Sequence, residues 1–197
     1  LLCHNAAAAE VYRAAGAKIE LADGCVRVRL PPTIIDKALD TAPATVVLGA
    51  REPSNRLVLN AHEPRVRFGS GAETNVWLDV IFQGSTPRFT RQRGSCKHLA
   101  NSAHLCEHLE NLDFFIRNVN IQDEEITAAN KDVNVIFTSL DKITTHVQAG
   151  LTDVEALDTV LRLGQLVAGG EDAFHENPVL SFITCVIKSP LEMVDDT

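Results

Sequence analysis

A parallel α/β fold preceded by a smaller α+β segment is what the sequence predicts, on three observations. From Arg65 onward, apolar runs of strand length alternate with amphipathic stretches of helical length, the pattern that crossovers between parallel strands produce. The starts of these runs lie roughly 30 to 50 residues apart, about what a strand, a crossover helix and two loops consume. Ahead of Arg65 the texture differs, with two helices, a hairpin and two short strands in quick succession. The expected division is residues 1–64 for the α+β segment and 65–197 for the parallel part.

Taken in order, Asn5 to Ala15 is alanine-rich without interior glycine or proline. It is predicted helical, ending at Gly16, a residue suited to the left-handed position after a helix. Leu1 would enter that helix already under way, and the chain stops just after a predicted strand, so the sequence is expected to be a piece of a longer protein. Ile19 and Leu21 alternate before Asp23-Gly24, and Val26, Val28 and Leu30 after it, the signature of a hairpin turning at Asp-Gly. Pro31-Pro32 opens a second helix, with Ile34, Ile35, Ala38 and Leu39 at helical spacing, stopping near Pro43. Strands are predicted at Thr45 to Leu48 and Leu57 to Leu59. Val66 to Phe68 then leads into Gly69-Ser70-Gly71. Phe114 to Val119 follows a helix whose buried stripe would be Leu99, Cys106 and Leu109. Ile143 to Ala149 follows a helix around Val133 to Leu140, and Val179 to Ile187 follows one from Asp153 to Val167. Spacing alone does not separate half of a barrel from an open doubly wound sheet.

Composition narrows the function classes. With 197 residues, 45% of them apolar, the chain can bury a sizeable core. Its 18 Lys and Arg stand against 26 Asp and Glu, a net charge of −8, and the basic residues are scattered. Nucleic acid is not an expected partner. No run approaches the roughly 20 apolar residues that cross a bilayer, and the opening lacks the charged start and cleavage site of a signal peptide. A soluble, cytoplasmic protein is expected. The five cysteines have no Cys-x-x-Cys spacing, which fits reduced thiols.

Several segments in fixed order resemble the trimethylamine methyltransferase family. They are Ala14-Ala15-Gly16-Ala17, Ala42-Pro43, Gly49-Ala50-Arg51-Glu52-Pro53 followed by Leu57-Val58-Leu59, and Val66-Arg67-Phe68-Gly69-Ser70-Gly71. Asn111-Leu112-Asp113-Phe114, Thr144-Thr145-His146-Val147 and Ser189-Pro190-Leu191 complete the series. The resemblance implies a (β/α)₈ TIM barrel of which about the first half is present, preceded by the small α+β segment. It also implies transfer of a methyl group from a tertiary or quaternary amine, of the trimethylamine or glycine betaine type, to the cobalt of a corrinoid. That corrinoid (cobalamin) would be carried by a separate partner protein, with no metal bound by this chain. Half a barrel leaves open sheet edges and a bare apolar face, so self-association is expected. Two rivals remain: a non-catalytic relative that binds betaine or a protein partner, and a barrel lyase or aldolase.

In barrels the working residues project from loops after the carboxyl ends of strands. That rule selects Gly69, Ser70, Gly71, Glu73, Asn75 and Trp77 after the first strand, and Asn118, Asn120 and Gln122 after the second. It selects His146 and Gln148 on the third, and Thr184 with Cys185 and Ser189 on the fourth. His146 as acid, base or orienting group and Glu73 as the charge opposite an ammonium are the catalytic candidates, and Cys185 is weighed as a nucleophile; Gly69, Gly71, Asn75, Trp77, Asn118, Asn120, Gln122, Gln148 and Thr184 would bind substrate. Each has a plainer reading. The glycines would serve as turns, Glu73 as a solvated loop carboxylate, Trp77 as strand packing, His146 as a buried histidine with satisfied hydrogen bonds, and Cys185 as a small buried residue. His104 and His108 lie one helical turn apart, yet two ligands without a third make a poor zinc site.

Overall fold

The computed structural model describes residues 1–63, 65–71, 73–183 and 191–193. It is a mixed α/β structure with several small sheets, and it divides into two compact units. Leu1–Ala44 and the described residues 191–193 belong to the first, and Thr45–Ile183 forms the second. The boundary expected after residue 64 therefore falls inside the second unit.

The first unit begins with strand β1 (Leu2–Cys3), then helix α1 (Ala6–Ala14). The chain does not enter a helix at Leu1 as expected, because Asn5 caps α1, its side chain accepting from Ala8 N at 2.9 Å. Gly16, at φ +100°, closes the helix as predicted. Strands β2 (Lys18–Ala22) and β3 (Cys25–Arg29) form the predicted hairpin, with Gly24 at φ +70° in its turn. Helix α2 (Pro32–Thr41) follows with proline in its first turn. β1 pairs antiparallel with β3 and parallel with Glu192–Met193. The small core is Cys3, Ala9, Ala17, Val28 and Met193, against which Tyr12, Ile19 and Ile34 pack. Of the α2 residues predicted to face inward, Ile35 and Leu39 are exposed.

The second unit opens with the antiparallel pair β4 (Thr45–Leu48) and β5 (Leu57–Asn60). The stretch around Phe68 is no regular strand. It makes a single parallel bridge, Gly69 to Phe114, and Ser70 Oγ replaces further rungs by accepting from Ile116 N (2.8 Å) and donating to Ile116 O (2.7 Å). A Cβ on Gly69 would fall 2.6 Å from the Phe114 ring, so only glycine lets the two backbones approach here. Strand β6 (Val76–Gln83), read correctly as a strand at Trp77, pairs with β7 (Thr86–Arg93), which the sequence reading missed. Its signal was Gly84, at φ +63° between two strand-like runs. Val76, Leu78, Val80, Phe82 and Phe89 lie on one exposed face of this hairpin.

Helix α3 (Cys96–Glu107), strand β8 (Phe114–Ile116), helix α4 (Ala128–Lys142), strand β9 (His146–Ala149), helices α5 (Leu157–Ala168) and α6 (Glu171–Glu176) and strand β10 (Leu180–Phe182) follow in alternation. The three strands are parallel and adjacent in sequence order, β8-β9-β10. Phe115, Val147, Ala149 and Leu180 occupy one face with Leu99, Ala103, Val135, Ile136, Leu140 and Val160 of the helices as the core. Burying a side chain such as Phe115 or Leu99 contributes roughly 1.5 to 3 kcal/mol each. The register puts Phe114, Ile116, His146, Gln148 and Ser181 on the opposite face. Of the predicted stripe, Leu99 is buried and Cys106 packs half-buried against the core, whereas Leu109 is 46% exposed past the end of α3 and Ala103 takes the buried place. The predicted strand from Val179 extends at its carboxyl side outside the described residues, as do Thr184, Cys185 and Ser189. Among the described residues, no helix is long and apolar enough to cross a membrane.

Candidate functional site

The two ends of the β8-β9-β10 sheet carry different chemistry. At the amino-terminal end, His146 begins β9 and is 1% exposed. Its Nδ1 lies 2.9 Å from Gly49 O and 3.1 Å from Pro178 O, and its Nε2 lies 2.8 Å from Ser181 Oγ. A neutral ring with hydrogen on Nδ1 satisfies all three groups: it donates to the carbonyls and accepts the Ser181 hydroxyl. Burial pushes the His146 pKa below its ordinary value, against the smaller upward pull of the two carbonyls. Gln148 Nε2 donates to the same Ser181 Oγ at 3.4 Å. Close by, Asn177 donates to Ala50 O and accepts from Ala50 N, and a Cβ on Gly49 would overlap the Asn177 backbone. His146 therefore ties the β4-β5 pair to the sheet, at the end opposite the loop that holds Glu73.

At the carboxyl-terminal end, Arg117 directly follows β8 and pairs with Glu73 in the loop after Gly71. Its backbone N–H donates to Gln148 O at 2.9 Å. The side chain is only 12% exposed, against 30% for Glu73, and Nη1 is buried with no hydrogen-bond partner among the described residues. The same holds for Asn118 Oδ1 and Asn120 Oδ1, so three of the five such atoms fall within four residues of one strand end. Buried polar groups are normally satisfied, and a cluster of exceptions calls for a cause. The sequence reading passed over Arg117 because it ran the strand on to Val119. The signal was the charge itself, a lone arginine directly after Phe-Phe-Ile.

The remaining candidates sort by contact. Asn120 Nδ2 donates to Asn75 Oδ1 at 2.8 Å, and Gln122 Nε2 donates to Asn75 O at 2.9 Å, so the structure brings these three together. With Asn120 N to Thr74 O (2.9 Å) and Gln122 N to Gly94 O (2.9 Å), they fasten the base of the β6-β7 hairpin. Asn118 instead turns toward α3, its Nδ2 4.0 Å from Cys106 Sγ. Trp77 stacks on His98 with ring centroids 4.8 Å apart and donates to Asp79 at 2.8 Å, and it packs against the core. That arrangement takes one face of the indole for packing. Gly69 sits under Phe114, whereas a Cβ on Gly71 would meet nothing within 4 Å. Thr184 lies outside the described residues.

Neither described thiol of the second unit is poised for nucleophilic work: burial, then the Asp123 charge, raises Cys96 to about 11, and burial raises Cys106 as well. His108 Nδ1 is engaged by the His104 carbonyl at 2.8 Å. Among the described residues no group of three His, Cys, Asp or Glu could hold a metal ion.

Comparison with known proteins fits this layout. Residues 2–197 match the family model for trimethylamine methyltransferase (MTTB). The chain belongs to the trimethylamine methyltransferase family. A curated relative, Trimethylamine methyltransferase MttB of Desulfitobacterium hafniense (strain DSM 10664 / DCB-2), is 28% identical over 190 residues. That alignment covers 95% of this chain and 35% of the relative, so the chain spans about a third of the relative's length. The family resemblance read from the ordered motifs is thus confirmed across nearly every residue.

Proposed function

We propose that this chain forms the first part of a (β/α)₈ barrel that takes a methyl group from a tertiary or quaternary amine, of the trimethylamine or glycine betaine type, for a corrinoid carried by a separate protein in the cytoplasm. The family match over residues 2–197 carries this reading. Parallel strands laid side by side in sequence order, with polar groups gathered at their carboxyl ends, support it.

Reduced cobalt would supply the electron pair for the new carbon–cobalt bond, while the pair of the breaking methyl–nitrogen bond stays on the departing neutral amine. No proton transfer is required, so the chain's own task is to hold the ammonium in line and exclude water. Glu73 offsets the cationic charge. Asn75, Asn120 and Gln122 fix the hairpin that borders the same strand ends, and Gln148 carries the backbone of Arg117. Gly71, where a side chain would meet nothing within 4 Å, leaves its loop open on the approach of a flat macrocycle. His146 acts at a distance, holding Ser181 and the underside of the sheet, and does not touch the methyl group.

The test is methylation of reduced cobalamin by the intact protein with trimethylamine, glycine betaine, carnitine and proline betaine, followed by absorbance. Methylcobalamin should form with at least one amine. Folded protein that methylates cobalt with none of them would overturn the proposal in favour of a binding relative.

A further inference from the structure

The β6-β7 hairpin is fastened firmly at its root and bare along its length. At the root, Gly94 N donates to Asn75 O (3.2 Å), Arg93 Nε donates to Gln122 Oε1 (3.3 Å), and a Cβ on Gly94 would fall 2.2 Å from Asn120 O. That close packing leaves no room for a hinge. Beyond it, every residue from Val80 to Arg93 is exposed, on both faces of the ribbon. A two-stranded hairpin standing by itself is marginal in water, and eight residues per strand make an arm about 27 Å long. Its composition is that of an interface. Val76 to Arg93 holds three aromatics and three arginines, with no lysine and no glutamate; interface centres are enriched in the first two and depleted in the last two. The register gathers Val80, Phe82, Pro87 and Phe89 on one face with Arg91 and Arg93, and Phe82 and Phe89 are 66% and 65% exposed. Pro87 and the arginines blunt the β7 edge against strand addition, so the face makes the contact.

Charge and area select the occupant. Three arginines against Asp79 alone make the arm basic, whereas the whole chain carries −8, so the chain's own acidic surface complements its arm. One face of the arm, about 27 Å by about 10 Å, covers roughly 300 Å². Arm against arm would bury about 600 Å² in total, the size of an incidental contact, whereas two arms each laid on the other copy bury about 1,200 Å², where stable interfaces begin. We propose that the β6-β7 hairpin is an exchange arm: two copies of this chain associate about a two-fold axis, each laying the Phe82 and Phe89 face of its arm on the acidic surface of the other. The association does not depend on the reaction proposed above.

Sedimentation velocity on the intact protein, with neither amine nor cobalamin present, tests it. Wild type should sediment as a dimer or a multiple of one. Phe82→Glu combined with Phe89→Glu, folded by circular dichroism, should raise the dissociation constant at least about 30-fold, the size of one lost anchor. Arg88→Glu combined with Arg91→Glu should raise it at least about tenfold. A second measurement does not rely on those variants: p-benzoylphenylalanine in place of Phe89, mixed with epitope-tagged wild type, should photo-cross-link one copy to the other. A wild-type monomer, an assembly that either paired substitution leaves unchanged, or cross-links confined within one chain would overturn the proposal. Cross-links that form only once the separate corrinoid protein is added would overturn it as well, giving the arm to that protein.

Discussion

The amino end of the parallel sheet is satisfied and the carboxyl end is not. Around His146 both ring nitrogens, the Ser181 hydroxyl and the Asn177 amide have partners, glycine stands where the Asn177 backbone closes in, and the ring is sealed from water. Around Arg117 three buried polar atoms within four residues lack partners among the described residues. Both ends belong to the same strands and the same core, so packing does not account for the contrast. A fold can spend unsatisfied groups only where something else is gained, and in barrels the carboxyl end is where chemistry is placed and the amino end where stability is secured.

That comparison breaks most readily at its stable end. His146→Leu removes a donor from two carbonyls and an acceptor from Ser181, and should cost about 2 to 4 kcal/mol in urea unfolding of the intact protein. The same residue sets a pH dependence. Burial lowers the folded pKa of His146 below the unfolded value near 6.5. The unfolded chain therefore binds the proton first, and stability is complete above about pH 6.5 and declines as the pH falls below it. Unfolding midpoints at about pH 7.5 and about pH 5.5 should differ in wild type, and His146→Gln should flatten that difference. An unchanged slope would mean that the ring is not held neutral.

At the other end the expected stability effects are smaller. Arg117→Met breaks a pair with a partly solvated glutamate and should cost only about 1 kcal/mol, while removing most of the methylation of cobalt. A loss of several kcal/mol would make Arg117 a structural residue. Smallest of all, Asn118→Val deletes an amide whose hydrogen bonding among the described residues is the long approach to Cys106 Sγ, and should shift stability by less than about 1 kcal/mol in either direction. A larger cost would show that its unpartnered oxygen is held for structure.

Much of this was legible from sequence. Alternating periodicity placed α3, α4 and α5 and the strands β8, β9 and β10, and the ordered motifs from Ala14 to Leu191 placed the family. Strand ends were less legible. Running the second strand to Val119 hid Arg117, although the polar pair Arg117-Asn118 after Phe-Phe-Ile marks where the regular ladder stops and Val119 bridges to Thr74 instead. His146 was selected for its type and its strand, and a sequence carries no mark of which end of a strand a side chain serves. Its partners, Gly49 and Ser181, are 97 and 35 residues away. Asn75, Asn120 and Gln122 were chosen as loop amides, and their common purpose at the hairpin base needed the unrecognised strand Thr86–Arg93.

The most direct test of the division between the two ends is methylation of reduced cobalamin by His146→Gln and Arg117→Met forms of the intact protein, each assayed well below its own unfolding temperature with the best amine. The account predicts that His146→Gln lowers the unfolding midpoint yet keeps kcat/KM within about threefold of wild type, and that Arg117→Met loses more than about tenfold. Loss of turnover in folded His146→Gln together with full activity in Arg117→Met would contradict it, placing the chemistry at the end assigned here to stability.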